Sequence, residues 1–159
     1  MPESAVRTIL SCCLLLATTL SNAKPVLTAT CGEPVGTRYD QVNGEVVSKA
    51  DGFTGVAPIF ILDDENPKKL TFVWGPAAWA RDELKLKANA QEAVVISITS
   101  DKITAVRVEG EGVTQMYSLY PGKGLVFFTQ HRYIAPHMGG VPTTSSFYAK
   151  CAFSPRRAQ

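Results

Sequence analysis

What the chain lacks narrows its chemistry first. Histidine and tryptophan each occur twice and cysteine four times, so sites built from clustered imidazoles or thiolates have little to draw on. No G-x-S-x-G elbow presents a serine nucleophile, and no G-x-x-x-x-G-K-[ST] loop or G-x-G-x-x-G fingerprint is there to cradle phosphates. Gly110-Glu111-Gly112 lies between two strand-like runs instead of opening a helix, so it is read as a turn. Carboxylate pairs for hydrolysis are brought together only by the fold, and nothing in the order of residues singles one out. With acid, base and nucleophile signatures missing, the chain is expected not to be an enzyme and to need no cofactor.

Charge of one sign is also lacking. The formal net charge is +2, and Lys68-Lys69 and Arg156-Arg157 are isolated pairs, so no phosphate-tracking groove and no nucleic-acid partner are expected. Asp63-Asp64-Glu65-Asn66 offers oxygens but not the alternating spacing and later glutamate of a calcium loop, and is read as a solvated turn before Pro67. His131, His137 and Met138 include ligand types suited to copper, but their spacing is not diagnostic and no metal site is assigned.

No apolar run reaches the roughly 20 residues that cross a bilayer. The nearest, Thr8 to Leu20, follows a short cationic start and ends at Ser21-Asn22-Ala23, the pattern of a signal peptide cut after Ala23. Lys24 then begins a mature chain, 24–159, with no membrane span. Cys12 and Cys13 sit inside the apolar run as filler and leave with it. Removing Glu3 and Arg7 takes one charge of each sign, so the net stays at +2.

Two cysteines remain, Cys31 and Cys151. An even count in an exported chain points to one disulfide enclosing nearly the whole domain, which suits the periplasm or the extracellular space. The mature chain contains no Asn-x-Ser/Thr acceptor, which favours a bacterial periplasm over a eukaryotic secretory route.

What is present is a rhythm of turns and short apolar runs. Asn43-Gly44, Asp51-Gly52, Gly75-Pro76, Ser100-Asp101, Pro121 to Gly124 and Gly139-Gly140 punctuate the chain, which is the signature of an all-β sandwich or barrel. Asn-Gly suits the two positive φ angles of a type I′ turn, so Thr37 to Val42 is expected to pair with Glu45 to Lys49. Ile59 to Leu62 and Leu70 to Trp74 form the next pair. From Ala93 onward five runs read as a meander, the last placing Phe147, Ala149, Cys151 and Phe153 on one face. With Val26 to Cys31 as first strand, the disulfide joins first strand to last, which are neighbours in an up-and-down antiparallel barrel. Pro76 to Asn89 breaks the pattern with good helix formers after a proline; this one short helix is expected to cover a barrel mouth or sheet edge.

The sequence therefore describes a single exported β-domain and is read as a binding module for an unknown small ligand or an extracytoplasmic partner. The rival is an inhibitor or interaction protein acting on a secreted hydrolase. A binding module predicts an aromatic-lined cavity open at one end, whereas an inhibitor predicts a filled interior and a projecting loop. Trp74 continues an apolar strand and is assigned to the core. Binding groups collect on loops at the end of a β-scaffold, so Trp79, His131, Tyr133, His137 and Met138 are the candidate ligand contacts. Intact-mass measurement on protein exported by a producing cell should return a chain starting at Lys24; retention of Met1 to Ala23 would refute the processing.

Overall fold

The computed structural model describes residues 25–63, 66–110, 112–134 and 140–157; the expected signal segment, 1–23, lies outside them. Ten strands follow in order: β1 (Pro25–Cys31), β2 (Val35–Val42), β3 (Glu45–Gly52), β4 (Ala57–Leu62), β5 (Lys69–Gly75), β6 (Gln91–Ile98), β7 (Ile103–Glu109), β8 (Val113–Tyr120), β9 (Leu125–Ile134) and β10 (Val141–Arg157). A short 3-10 segment (Ala77–Arg81) and helix α1 (Glu83–Ala88) connect β5 to β6.

Every pairing is antiparallel, and the spatial order is β1-β4-β5-β6-β7-β8-β9-β10, closed by β1 pairing back onto β10. Eight strands form a closed barrel, so of the two architectures expected the barrel is the one adopted. The remaining two, β2 and β3, continue along β10 as a hairpin. β10 is 17 residues long because it serves two partners on one edge: Thr143 to Tyr148 pair with β2, and Cys151 to Arg157 with β1. The chain crosses from one partner to the other at Gly32, whose N–H donates to the Lys150 carbonyl at 2.8 Å.

The hairpin is the one the Asn-Gly turn predicts. Asn43 and Gly44 have φ of 54° and 84°, and Val42 faces Glu45 across the turn. Gly36 faces Phe147 where β2 meets β10; a Cβ there would overlap the Ser146 carbonyl and the Phe147 ring, so glycine permits the close approach.

Period-2 alternation sends one side chain inward and the next outward along each strand. The inward set Ala29, Phe60, Leu70, Phe72, Tyr117, Leu119, Val126, Phe128, Phe147 and Ala149 is buried in one cluster, with Cys151 and Phe153 packed against it. An eight-stranded barrel is just wide enough for side chains to fill, and aromatic rings do so here. Phe72 lies 4.9 Å from Tyr117, and Phe128 stacks on Phe147 at 4.9 Å.

Residues 77–88 are helical as expected, in two pieces divided at Asp82. The Asp82 carboxylate accepts from the Lys85 N–H at 3.0 Å and so caps α1. Their position differs from the expectation. Trp79, Ala80 and Leu86 pack on Ile59, Ile61 and Val73, the outward residues of β4 and β5, so the helical segment covers the barrel's outer wall and not its mouth. The reason is compositional: β4 and β5 are apolar on both faces and need cover on the outside as well.

Cys31 and Cys151 are directly opposed in the β1–β10 pairing and bonded, with a sequence separation of 120. The cross-link therefore staples the seam that closes the barrel. In the chain-entropy view a loop of this length contributes about 4 to 5 kcal/mol. Alkylation of the native protein before reduction should find no free thiol at either position. The Cys31→Ser/Cys151→Ser variant should lose about 2 to 5 kcal/mol in denaturant unfolding, and an unchanged midpoint would remove the staple's role.

Candidate functional site

The inward alternation does not stay apolar along the whole barrel. In β8 it runs Tyr117 and Leu119 but begins with Val113 and Gln115; in β9 it runs Val126 and Phe128 and ends with Gln130 and Arg132. In β7, Ile103 and Ala105 give way to Arg107 and Glu109, and in β10, Thr143 and Ser145 precede Phe147 and Ala149. Successive strands of a meander run in opposite directions, so the end of β7 lies beside the start of β8, and the end of β9 beside the start of β10. All four polar stretches thus converge at one mouth.

An open cleft of about 350 Å³ occupies that mouth, with a smaller compartment of about 180 Å³ beside it. Phe53, Gln130 and Arg132 border both. Phe53 belongs to the connection between β3 and β4. Its N–H donates to the Pro34 carbonyl at 3.1 Å, and the Gly55 N–H donates to the Glu33 carboxylate at 2.7 Å, which holds this connection against the barrel. The Phe53 ring stacks on Trp74 at 4.8 Å and lies 5.1 Å from Phe147. Trp74 in turn meets Phe128 edge-on at 5.4 Å. These rings are both the top of the core and the floor of the cleft.

Above the floor the polar groups are organised. Gln115 Oε1 accepts from the Tyr117 hydroxyl at 2.8 Å and from Arg107 Nη1 at 3.2 Å. Arg107 also pairs with Glu109 at 2.8 Å, and its guanidinium lies 5.8 Å from the centre of the Phe72 ring. Burial pushes the Tyr117 phenol well above the usual range, against the opposing influence of Arg107, so it stays a hydrogen-bond donor at neutral pH.

The hairpin forms the wall of the smaller compartment through Arg38, Asp51 and Gly52. Asp40 ties it down: its carboxylate receives Arg38 Nε at 2.9 Å, Lys49 Nζ at 3.0 Å and the Thr143 hydroxyl of β10 at 3.0 Å. Desolvation alone would raise the Asp40 pKa, but the hydrogen bonds from Lys49, Arg38 and Thr143 together outweigh it and hold the carboxyl below its ordinary value.

The residues proposed from sequence do not assemble into one surface. Trp79 lies on the outer wall, its ring over Gly75 of β5 and Lys85 Nζ 5.8 Å from its centre. β5 and β9 are four strands apart in either direction around the eight-strand ring, so Trp79 is on the opposite wall from His131 and Tyr133. Those two belong to β9 and face outward, at the positions alternating with Gln130 and Arg132. His131 Nδ1 lies 3.2 Å from the Thr144 hydroxyl, and Tyr133 rests over Gly140. His137 and Met138 lie outside the described residues, as do Asp64 and Glu65 of the acidic run. Among the described residues no group of three or more His, Cys, Asp or Glu is placed to hold a metal ion, and no helix is long and apolar enough to cross a membrane.

Sequence reasoning missed Phe53, Arg107, Gln115, Gln130 and Arg132, and counted Trp74 as core alone. The available signal was the polar interruption of each inward face, always at the same end once strand direction is reversed from one run to the next.

No protein-family model matches the chain, and neither the curated proteins nor the solved structures searched give a match. The fold and the cleft therefore stand on their own geometry.

Because Asp40 is held below its unfolded value of about 3.9, its contribution to stability is present above that pH and is lost as pH falls through the folded value. Thermal melts from pH 7 down to about pH 2 should show Tm falling below about pH 4. Asp40→Asn should lower the neutral-pH Tm and flatten the acid decline; an unaltered acid profile in that variant would show that other carboxylates govern it.

Proposed function

We propose that the mature domain is an exported binding module, acting in the periplasm or outside the cell, whose mouth cleft holds a small ligand. The observation that carries this reading is the cleft itself: an aromatic floor, inward polar groups and an opening at one end of a barrel whose interior is packed with aromatic and aliphatic side chains. A volume of about 350 Å³ is at the lower end of the range for ligand pockets, roughly 300 to 1,000 Å³, and a few placed polar groups over apolar lining is their usual composition. The Cys31–Cys151 bond supports the compartment, because disulfides persist where thiols are not kept reduced. The alternative, an inhibitor or interaction protein acting on a secreted hydrolase, has the β2–β3 hairpin as its projecting element. Among the described residues one edge of β3 is left unpaired, which is the feature that favours it.

The two tryptophans make the test direct, since Trp74 lines the cleft and Trp79 lies on the outer wall. Small aromatic compounds that raise Tm in a library screen should shift the indole N–H resonance of Trp74 in nitrogen-correlated NMR spectra and leave that of Trp79 in place. Gln91→Trp, which places bulk at the cleft rim, should weaken the same compounds by about tenfold or more while keeping the fold. Hits that move only Trp79, or that bind Gln91→Trp as well as the original protein, would exclude the cleft as the binding site.

A further inference from the structure

We infer that the cleft selects a ligand combining a flat apolar body with an anionic group, a carboxylate or sulfonate, and that Arg132 is its counter-charge. This rests on the reading of the cleft as a ligand site and adds the chemistry of what enters it.

Three arginines line the two compartments, and two of them are committed. Arg38 is paired with Asp40 at 2.9 Å. Arg107 is paired with Glu109 at 2.8 Å and donates to Gln115. Arg132 differs. It borders both compartments, and among the described residues no carboxylate lies within ion-pairing distance of it. Asp51, the carboxylate of the smaller compartment, accepts instead from the Gly52 N–H at 2.9 Å. Among the described residues that line the two compartments, three arginines stand against two carboxylates, Glu109 and Asp51, a formal excess of one positive charge.

A second donor lines the same cleft. Both contacts made by Gln115 Oε1 are acceptor contacts, from Tyr117 and Arg107, so the amide NH2 of Gln115 has no partner among the described residues. A planar guanidinium and an amide donor over an apolar floor form the donor set that a carboxylate or sulfonate satisfies, because its oxygens accept the fork of an arginine in parallel. The floor sets the rest of the ligand. Phe53 and Trp74 are stacked with an interplanar angle of 24°, presenting flat apolar surface, and the volume admits one or two fused rings rather than a long chain. Arg132 is solvent-exposed at the rim, so its attraction is screened by salt and is strongest at low ionic strength.

The probes are anilinonaphthalene sulfonate and its neutral counterpart N-phenylnaphthylamine, which share an aromatic body and differ in the anionic group. The Trp79→Phe protein is used, so that Trp74 is the sole tryptophan and displacement of its indole N–H resonance in nitrogen-correlated NMR spectra reports occupancy of the cleft. At low ionic strength the sulfonate should shift the Trp74 resonance saturably with a Kd about fivefold or more below that of the neutral probe. Arg132→Gln should abolish this preference, and Arg132→Lys should keep part of it, with circular dichroism and Tm unchanged in both. Equal affinities for the two probes, or a preference that survives Arg132→Gln, would overturn the anion inference while leaving the cleft as a site for neutral ligands. Failure of both probes to shift the Trp74 resonance saturably would overturn the cleft reading and this inference together.

Discussion

Pairing of β1 with the C-terminal half of β10 turns a long antiparallel sheet into a closed wall, and the other features of the domain follow from that seam. Closure removes the sheet edges that β1 and β10 would otherwise expose and encloses an interior that alternating side chains fill. Because β1 takes only half of β10, the remaining half is free to accept β2, which is how a hairpin comes to stand beside the barrel mouth. The disulfide lies at the last pair of the seam before the chain changes partner, so the cross-link holds the point where barrel and hairpin diverge.

The interior is divided between two physical regimes. In the lower part the rings of Phe60, Phe72, Tyr117, Phe128 and Phe147 remove water and supply the hydrophobic driving force. Toward the mouth the inward positions are held by Gln115, Gln130, Arg107 and Arg132, groups that are costly to bury without partners. Partners are present for some of them, as with the Tyr117–Gln115–Arg107 chain of hydrogen bonds, and the rest face the open cleft. Phe53 sits at the boundary: it is supplied by a connection outside the barrel strands, yet completes the aromatic stack from above. A cleft floor made from the top layer of a core is rigid because the packing beneath it is.

The polar pattern behind the cleft was open to inspection in the amino-acid order, but only through a step that propensity does not contain. Gln115, Gln130 and Arg132 each look like an ordinary polar residue near a strand end. They become a site only when the reversal of direction between neighbouring strands is applied, which brings the end of β9 beside the start of β8 and β10. Trp79 illustrates the opposite error. A tryptophan after a turn, next to a short helix, invites placement at a mouth, and the outward apolar residues Ile59, Ile61 and Val73 drew it to the outer wall instead.

The sequence by itself determined the features that depend on neighbouring residues or on simple elimination: the Asn43-Gly44 hairpin through its φ requirements, the strand runs through their period of two, the helical tendency of 77–88, and the bond between the two cysteines that remain after residue 23. Tertiary structure decided whether the sheet closes as barrel or sandwich, that β10 serves two partners, which wall the helix covers and which side chains meet at the mouth. The reason is one of range. Backbone conformation and alternation are set over a few residues, whereas convergence of Arg107, Gln115, Phe53 and Arg132 depends on strand order and register, which exist only once distant segments have paired.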